Sequence, residues 1–174
     1  MIHTGIVQYL SEIDTNIFLS FNGIHSPFWD YFMSSFTGKF IWIPMYATIL
    51  YILLKNFHWK VVMCYVAAIA LTITFADQMC SSIIRPVVAR LRPANLENPI
   101  VDLVHIVNGY RGGSYGFPSC HAANSFGLAM YVIFLFRKRW LSVFIITWAV
   151  LNCYTRIYLG VHYPGDLIVG GIIG

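Results

Sequence analysis

Four arginines, two histidines and an aspartate of this chain stand in three short stretches, each at the end of a long apolar run. The first reads Arg85-Pro86-Val87-Val88-Ala89-Arg90-Leu91-Arg92-Pro93. Guanidinium forks bind phosphate oxygens bidentately and stay charged at any physiological pH. Arg85 and Arg92 are seven residues apart, about two helical turns. Pro86 and Pro93 interrupt a regular helix there but leave both side chains within reach of one pocket. The second stretch is Pro118-Ser119-Cys120-His121. Ser119 suits an N-cap, and the free N–H groups after it form an anion site with the helix dipole behind them. His121, in the first turn, is placed to act as an acid toward a bound phosphate ester. The third is Thr155-Arg156 followed by His162 and Asp166. Across that turn the carboxylate can accept a hydrogen bond from one imidazole nitrogen and leave the other free as a nucleophile. Phosphate binding and proton handling beside apolar runs together point to a phosphorylated lipid.

The elements that must position these residues belong to a membrane protein. Of the 174 residues, 58% are hydrophobic and 10% charged, with a mean hydropathy of +0.67. Soluble domains carry about 25% charge, so this chain lacks the charge to cover a water-facing surface. The length suits one domain, 1–174. A net charge of +4 is no nucleic-acid signal, because the arginines cluster with histidines at helix ends and not along a solvated face. Cys64, Cys80 and Cys153 lie inside apolar runs, where cysteine behaves as a small hydrophobe. With no Cys/His metal spacing, neither a metal site nor a disulfide framework is expected. The N-terminus lacks the basic region of a cleavable signal, and Glu12 and Asp14 interrupt its apolar character.

The expected fold is all-α, a polytopic transmembrane bundle. Residues 1–36 form interfacial helices, and 39–174 form the transmembrane core. Ile6, Leu10, Ile13 and Ile17 fall on one helix face, with Glu12, Asp14 and Asn16 elsewhere, which describes an amphipathic helix lying in the membrane interface. Asn22-Gly23 ends it, and Ser26-Pro27 caps a second helix over 27–36. Five spans follow: 39–54 with Lys39 snorkelling, 61–84 carrying Asp77, 121–136, 140–158, and one starting near Tyr163. The first is short for the ~20 residues of a hydrocarbon core. After Asp166 eight apolar or glycine residues remain, about 12 Å of helix. Either the chain is cut there or the final helix stops halfway. The 93–118 loop, with its glycine-rich 108–116 stretch, reads as a lid near the site.

Alternation of the spans brings all three motifs to one side. The opposite side holds Lys55, Lys60, Arg137, Lys138 and Arg139; the motif side holds Lys39, Arg85, Arg90, Arg92, Arg111 and Arg156. Setting aside the motif residues Arg85, Arg92 and Arg156, positive-inside reasoning places the motifs on the outer face.

The three stretches resemble the signatures of the type 2 phosphatidic acid phosphatase family, Lys-x6-Arg-Pro, Pro-Ser-Gly-His and Ser-Arg-x5-His-x3-Asp, in that order. The resemblance covers about residues 77–166. The Ala76-Asp77-Gln78 and His121-Ala122-Ala123-Asn124 stretches resemble members from the Bacteroidetes. Membership implies that His162 attacks phosphorus to form a phosphohistidine, oriented by Asp166, while His121 protonates the leaving oxygen. It implies that Arg85, Arg92, Arg156, Ser119 and the backbone near Cys120 hold the phosphate, without metal or other cofactor. Three positions depart from the pattern: Arg85 for Lys, Thr155 for Ser, and Cys120 for Gly. The last adds a Cβ where backbone approaches the phosphate.

The expected function is hydrolysis of a phosphomonoester or diphosphate of a lipid, at the periplasmic face of a bacterial inner membrane. Undecaprenyl diphosphate, phosphatidylglycerol phosphate, phosphatidic acid and lipid A are the candidate substrates, with undecaprenyl diphosphate as the housekeeping default. The alternative is a non-catalytic protein that binds or transports a lipid phosphate; retention of both histidines and the aspartate argues against it. Asp77, eight residues before Arg85, is either a partner of a site arginine or a structural pairing. His3, His25, His58 and His105 read as structural, and Arg90 and Arg111 as solvated or facing headgroups.

Overall fold

The computed structural model describes residues 2–38 and 40–174, with side chains from Gly5 onward. Lys39 and the side chain of His3 lie outside the described residues. The first helix, α1 (Ile2–Asn22), leaves Ile6, Leu10, Ile13 and Ile17 uncovered by protein, as an apolar face turned to lipid requires. Its other face is docked. Asp14, Phe18 and Asn22, at steps of four residues, meet the rest of the chain, and Phe18 and Asn22 are fully buried. Helix α2 (Pro27–Phe36) begins at the Ser26 N-cap, whose hydroxyl accepts from the Trp29 amide. A 3-10 turn over Phe40–Trp42 leads into α3 (Ile43–Asn56).

Helix α4 (Trp59–Gln78) continues through a π-helical turn, Met79–Ile84, into α5 (Arg85–Val88). The run Trp59–Val88 is long and apolar enough to cross a membrane, and so is α7 (Arg139–Tyr158). The bent pair Pro27–Phe36 and Phe40–Asn56 makes a third candidate. Helices α6 (Cys120–Phe136) and α8 (Pro164–Ile173) are shorter apolar helices. Five spans were expected; among the described residues, length and composition support two, or three with the bent pair. Leu71, Phe75, Val87 and Phe134, all more than 60% exposed, belong to a lipid-facing surface.

At the centre stands α6, which packs against α4, α7 and α8. Small residues explain the closeness. A Cβ on Gly170 would overlap the Ser119 carbonyl, and Gly127 lies beside Gly174. Ala122, Ala123 and Ala129 are fully buried. This contact brings the start of α8 against the start of α6, where the amide of Ser119 donates to the carbonyl of Asp166 at 3.0 Å.

The 93–118 loop is pinned. The Arg92 amide donates to Ser114 O, the Gly116 amide to Arg90 O and the Ala94 amide to Gly160 O, with Leu91 and Tyr115 forming an antiparallel bridge. Two 3-10 turns, Val101–Leu103 and Val107–Gly109, interrupt it. Asn98, buried, donates to Arg92 O and to the Tyr163 hydroxyl, so the loop closes over the end of the bundle.

Candidate active site

His162 stands in the turn between α7 and α8. That turn closes because Gly160 adopts φ +74°, which favours glycine, and because the Val161 and His162 amides both donate to Arg156 O. Pro164 then begins α8, and Asp166 in its first turn accepts from the Tyr163 amide at 3.1 Å. The same carboxylate oxygen, Oδ2, lies 3.3 Å from His162 Nδ1. Helix capping and imidazole orientation thus fall to one fully buried side chain.

The proton positions on His162 follow from its partners. Nη1 of Arg92 lies 3.2 Å from His162 Nε2. A guanidinium has donors only, so Nε2 accepts and carries the lone pair, and Nδ1 holds the proton it shares with Asp166. His162 is 2% exposed. Burial pushes its imidazole down to about 4; the Asp166 hydrogen bond opposes this, and the charges of Arg92 and Arg156 add to it. At neutral pH the ring is therefore an uncharged base whose free nitrogen faces a cationic group.

Arg85, Arg92 and Arg156 converge. Burial lowers the Arg92 guanidinium from its ordinary range, and the charges of Arg85 and Arg156 lower it further. Arg92 is fixed by Nε donating to Tyr115 O at 3.1 Å and Nη1 to Val161 O at 3.2 Å. Arg85 Nη2 donates to Pro118 O at 3.0 Å and to Cys120 Sγ at 2.8 Å. Arg156 Nη1 donates to Thr37 Oγ1 at 3.0 Å. The Nε atoms of Arg85 and Arg156 are buried and have no acceptor among the described residues. Buried guanidinium N–H groups without acceptors fit an oxyanion ligand.

His121 Nε2 lies 3.2 Å from Asn152 Oδ1 and 3.5 Å from Thr37 Oγ1. Asn152 in turn donates to Ser125 Oγ at 2.9 Å. His121 is a shared wall of two cavities. One, of about 350 Å³, is lined by Arg156, Thr37 and Tyr110. The other, of about 510 Å³, is lined by apolar residues of α3, α4, α6 and α7, among them Leu50, Ile69 and Trp148.

The remaining expected residues fall in or beside this cluster. Ser119 caps α6, its hydroxyl accepting from the Ala122 amide, and is fully buried. Cys120 Sγ points at Arg85 and the Asp77 carbonyl. Thr155 donates its hydroxyl to Asn152 O at 2.7 Å and so acts on helix geometry. The Asp77 carboxylate accepts from Asn124 at 3.3 Å and, among the described residues, forms no ion pair with an arginine.

Two arginine expectations need correcting. Arg90 is not solvated: its Nη1 lies 2.6 Å from Asp14 Oδ2 and 3.1 Å from Asp166 Oδ1. Arg111 donates to Ala94 O at 2.8 Å, which ties down the loop. His105, 2.9 Å from Asp30 and stacked on His25 at 3.8 Å, and His58, which accepts from the Lys60 amide, hold structure. Asp14, Arg90, Thr37 and Asn152 are site neighbours that sequence reasoning missed. Gly116 is another: a Cβ there would stand 3.0 Å from Asp166 Oδ2 and 3.2 Å from Arg92 Cγ. Only the glycine-rich 108–116 stretch hinted at it.

An all-helical, lipid-facing bundle with an Asp-oriented imidazole and a guanidinium cluster at one end defines an integral membrane phosphatase. The PAP2 superfamily model matches residues 61–174, and the chain belongs to that family, the type 2 phosphatidic acid phosphatases whose signatures it resembles. A lipid A 4′-phosphatase of Bacteroides thetaiotaomicron is 75% identical over 169 residues, covering 97% of this chain and 75% of that protein. A lipid A 4′-phosphatase of Porphyromonas gingivalis is 35% identical over 168 residues, covering 97% and 71%. The crystal structure of Aquifex aeolicus LpxE superposes with a TM-score of 0.66 at 24% identity, covering 91% of this chain and 88% of that one. At that identity the likeness is one of fold.

Proposed function

We propose that this membrane lipid phosphatase removes the 4′-phosphate of lipid A through a phosphohistidine at His162. The 75% identity to a lipid A 4′-phosphatase across nearly the whole chain carries the substrate assignment. It moves the preference away from undecaprenyl diphosphate. Such relatives are phosphatases by name, which sets the binding-only alternative aside.

The chemistry follows from the residues. Arg85, Arg92 and Arg156 hold the phosphate oxygens and offset the charge that builds in the transition state. His162 Nε2 attacks phosphorus, and its P–N bond forms as the P–O bond to the sugar breaks. His121 gives a proton to the departing oxygen, so the sugar leaves as an alcohol. Asp166 accepts the Nδ1 hydrogen bond and stabilises the positive charge that the ring gains. Water then attacks phosphorus, gives a proton to His121, and inorganic phosphate leaves as the P–N bond breaks. The apolar cavity beside His121 suits an acyl chain, which anchors the lipid while its headgroup meets Arg156.

We place this site on the periplasmic face. Arg85, Arg90, Arg92 and Arg156 are all occupied by site contacts. Setting them aside leaves Lys39 and Arg111 on the motif side against five basic residues on the other. That asymmetry supports a cytoplasmic Arg137–Arg139 link.

The test is phosphate release by the purified protein in detergent from lipid A carrying the 4′-phosphate, undecaprenyl diphosphate, phosphatidylglycerol phosphate and phosphatidic acid. Lipid A is expected to show the highest kcat/KM; a higher value for another lipid overturns the substrate assignment. With a 32P-labelled substrate, alkaline quenching should leave label on the wild type and none on His162→Ala. Full activity in His162→Ala would end the phosphohistidine reading.

A further inference from the structure

Arg90 lies outside the phosphate cluster, yet it is bound to the orienting carboxylate of the site. Its Nη1 is shared between Asp166 Oδ1 at 3.1 Å and Asp14 Oδ2 at 2.6 Å. Its guanidinium carbon stands 3.8 Å over the ring of Tyr163, next to His162 in sequence. The other oxygen of Asp14 accepts from the Gly165 amide at 2.8 Å. Gly165 lets the carboxylate come this close, since a Cβ there would stand 2.8 Å from Asp14 Oδ2 and displace it. Three contacts therefore hold the start of α8, from two directions, onto one residue of α1 and one of the 89–92 segment, and the Arg90–Asp14 pair joins those two residues.

We infer that Asp14 and Arg90 form a brace that positions Asp166, and through it His162, so that the interfacial helix α1 contributes a positioning residue to the phosphatase site. The inference rests on the assignment of His162 as nucleophile. Asp166 is fully buried and has two oxygens. Oδ2 serves the Tyr163 amide and His162 Nδ1. Arg90 takes Oδ1, and this fixes the carboxylate plane so that Oδ2 meets the imidazole. A buried carboxylate also requires a counter-charge. The charged and titratable groups around it are Arg90 and Arg92 from the 89–92 segment, Asp14 from α1, and His162 and Tyr163 from the α7–α8 turn. Arg90 is the one cation of these that contacts the carboxylate directly among the described residues.

The anchoring of Asp14 gives α1 a defined register. Phe18, one turn later, packs edge-on against Tyr163 at 5.3 Å. Asn22, another turn on, donates to Ile157 O and Tyr158 O and accepts from the His105 amide. This docked face is opposite in character to the lipid-turned face of Ile6 and Leu10. Movement of α1 in the interface would reach Asp166 through Asp14, with no contact between α1 and the phosphate.

The brace is tested in the full chain in detergent, with lipid A carrying the 4′-phosphate as substrate and vanadate binding to count competent sites. Arg90→Ala should lower kcat per vanadate-binding site about 100-fold, the scale of an ångström-sized misplacement, and leave KM within about 3-fold. Arg90→Lys should recover part of the loss. Added guanidinium ion at sub-denaturing concentration should raise the Arg90→Ala rate about 10-fold, and sodium chloride at equal ionic strength should not. Loss that neither guanidinium nor Arg90→Lys relieves would mark a merely structural role and overturn the brace. Asp14→Asn keeps the side-chain volume and an acceptor for Gly165, and should lower kcat about 10-fold; an unchanged kcat overturns the role of α1. His162→Ala separates the two claims: if it is inactive while the Arg90 and Asp14 variants keep full rates, the nucleophile stands and the brace falls.

Discussion

The guanidinium of Arg92 donates to Nε2 of His162 across 3.2 Å, and in the proposed mechanism that contact, with Asp166 on Nδ1, marks Nε2 as the attacking nitrogen. It gives Arg92 a second part beside its proposed hold on the phosphate. Its Nε is committed to Tyr115 O and its Nη1 also to Val161 O, so the group arrives at His162 with its orientation fixed. In the family reading it holds the phosphate beside the nitrogen that attacks it.

Arg92→Lys should therefore be costly although charge is kept. An ammonium is a point charge without a planar fork and cannot reproduce three contacts to Tyr115, Val161 and His162. We expect kcat/KM about 100-fold lower, with the thermal midpoint in detergent nearly unchanged. A variant with wild-type kcat/KM would show that the fork is dispensable and that the tautomer of His162 is set in another way.

The low proton affinity of His162 has a sign that stability measurements can read. Its folded value is about 4 because burial disfavours the charged ring, whereas an unfolded histidine titrates near 6.5. Above about pH 6.5 both states are neutral and the group has no effect on stability. Between about 6.5 and 4 only the unfolded chain takes up the proton, so stability falls as pH falls. Below about 4 the loss is complete. The difference in unfolding free energy between wild type and His162→Gln, measured at about pH 7.5 and about pH 4.5, should shift by a few kcal/mol against the wild type at the acid end. Equal slopes for the two proteins would contradict the burial effect.

Much of this was legible in the sequence because the relevant signals are local. Ser119 caps a helix, Pro164 opens one, and His162 and Asp166 are four apart, so each short stretch carries its own geometry. The expected span 61–84 falls inside the continuous run Trp59–Val88, and 121–136 and 140–158 agree with α6 and α7 to within one residue. The pairings that cross the chain were not legible. Arg90 meets Asp14 at a separation of 76 residues and Arg156 meets Thr37 at 119; no periodicity encodes those contacts. Asp14 read as the polar side of an amphipathic helix, since helix faces can be read from sequence but the partner of a face cannot. Arg90 read as solvated or facing headgroups, yet the pinned 89–92 segment turns it onto Asp14 and Asp166.

The contact between α6 and α8 depends on the absence of side chains. Gly170 lies so close to the Ser119 carbonyl that a Cβ would overlap backbone, and it also approaches Ala122. Backbone cannot swing away as a flexible side chain can, so Gly170→Ala must push α8 outward. We expect a loss of about 2 kcal/mol or more, seen as a lower thermal midpoint, together with lower activity because Ser119 and Asp166 are joined across the same contact. A variant as stable as wild type would mean that α8 is free to shift.

Cys120 stands where the family pattern has glycine, and its thiol turns toward Arg85 Nη2 and the Asp77 carbonyl. Removing it takes a weak acceptor from Arg85, which keeps its bond to Pro118 O, and restores the open backbone of the pattern. Cys120→Gly should keep wild-type phosphate release or exceed it, in the same detergent assay. A loss above about 10-fold, which is about 1.4 kcal/mol of transition-state stabilisation, would assign the thiol a positive part in holding Arg85.

Thr37 joins the two halves of the chemistry. Its hydroxyl accepts from Arg156 Nη1 at 3.0 Å and lies 3.5 Å from His121 Nε2, so the proposed phosphate-binding group and the proposed acid share one oxygen. Thr37→Val keeps the shape and removes that oxygen. A hydrogen bond to a charged group contributes about 1.5–3 kcal/mol, so kcat/KM should fall about 10-fold to 100-fold. Thr37→Ser, which keeps the hydroxyl, should restore most of it. Part of the loss should appear in kcat, because in the proposed mechanism His121 acts on the departing oxygen and not on the bound ground state. If Thr37→Val changes KM alone, Thr37 serves Arg156 and substrate binding, and its link to the acid is without catalytic effect.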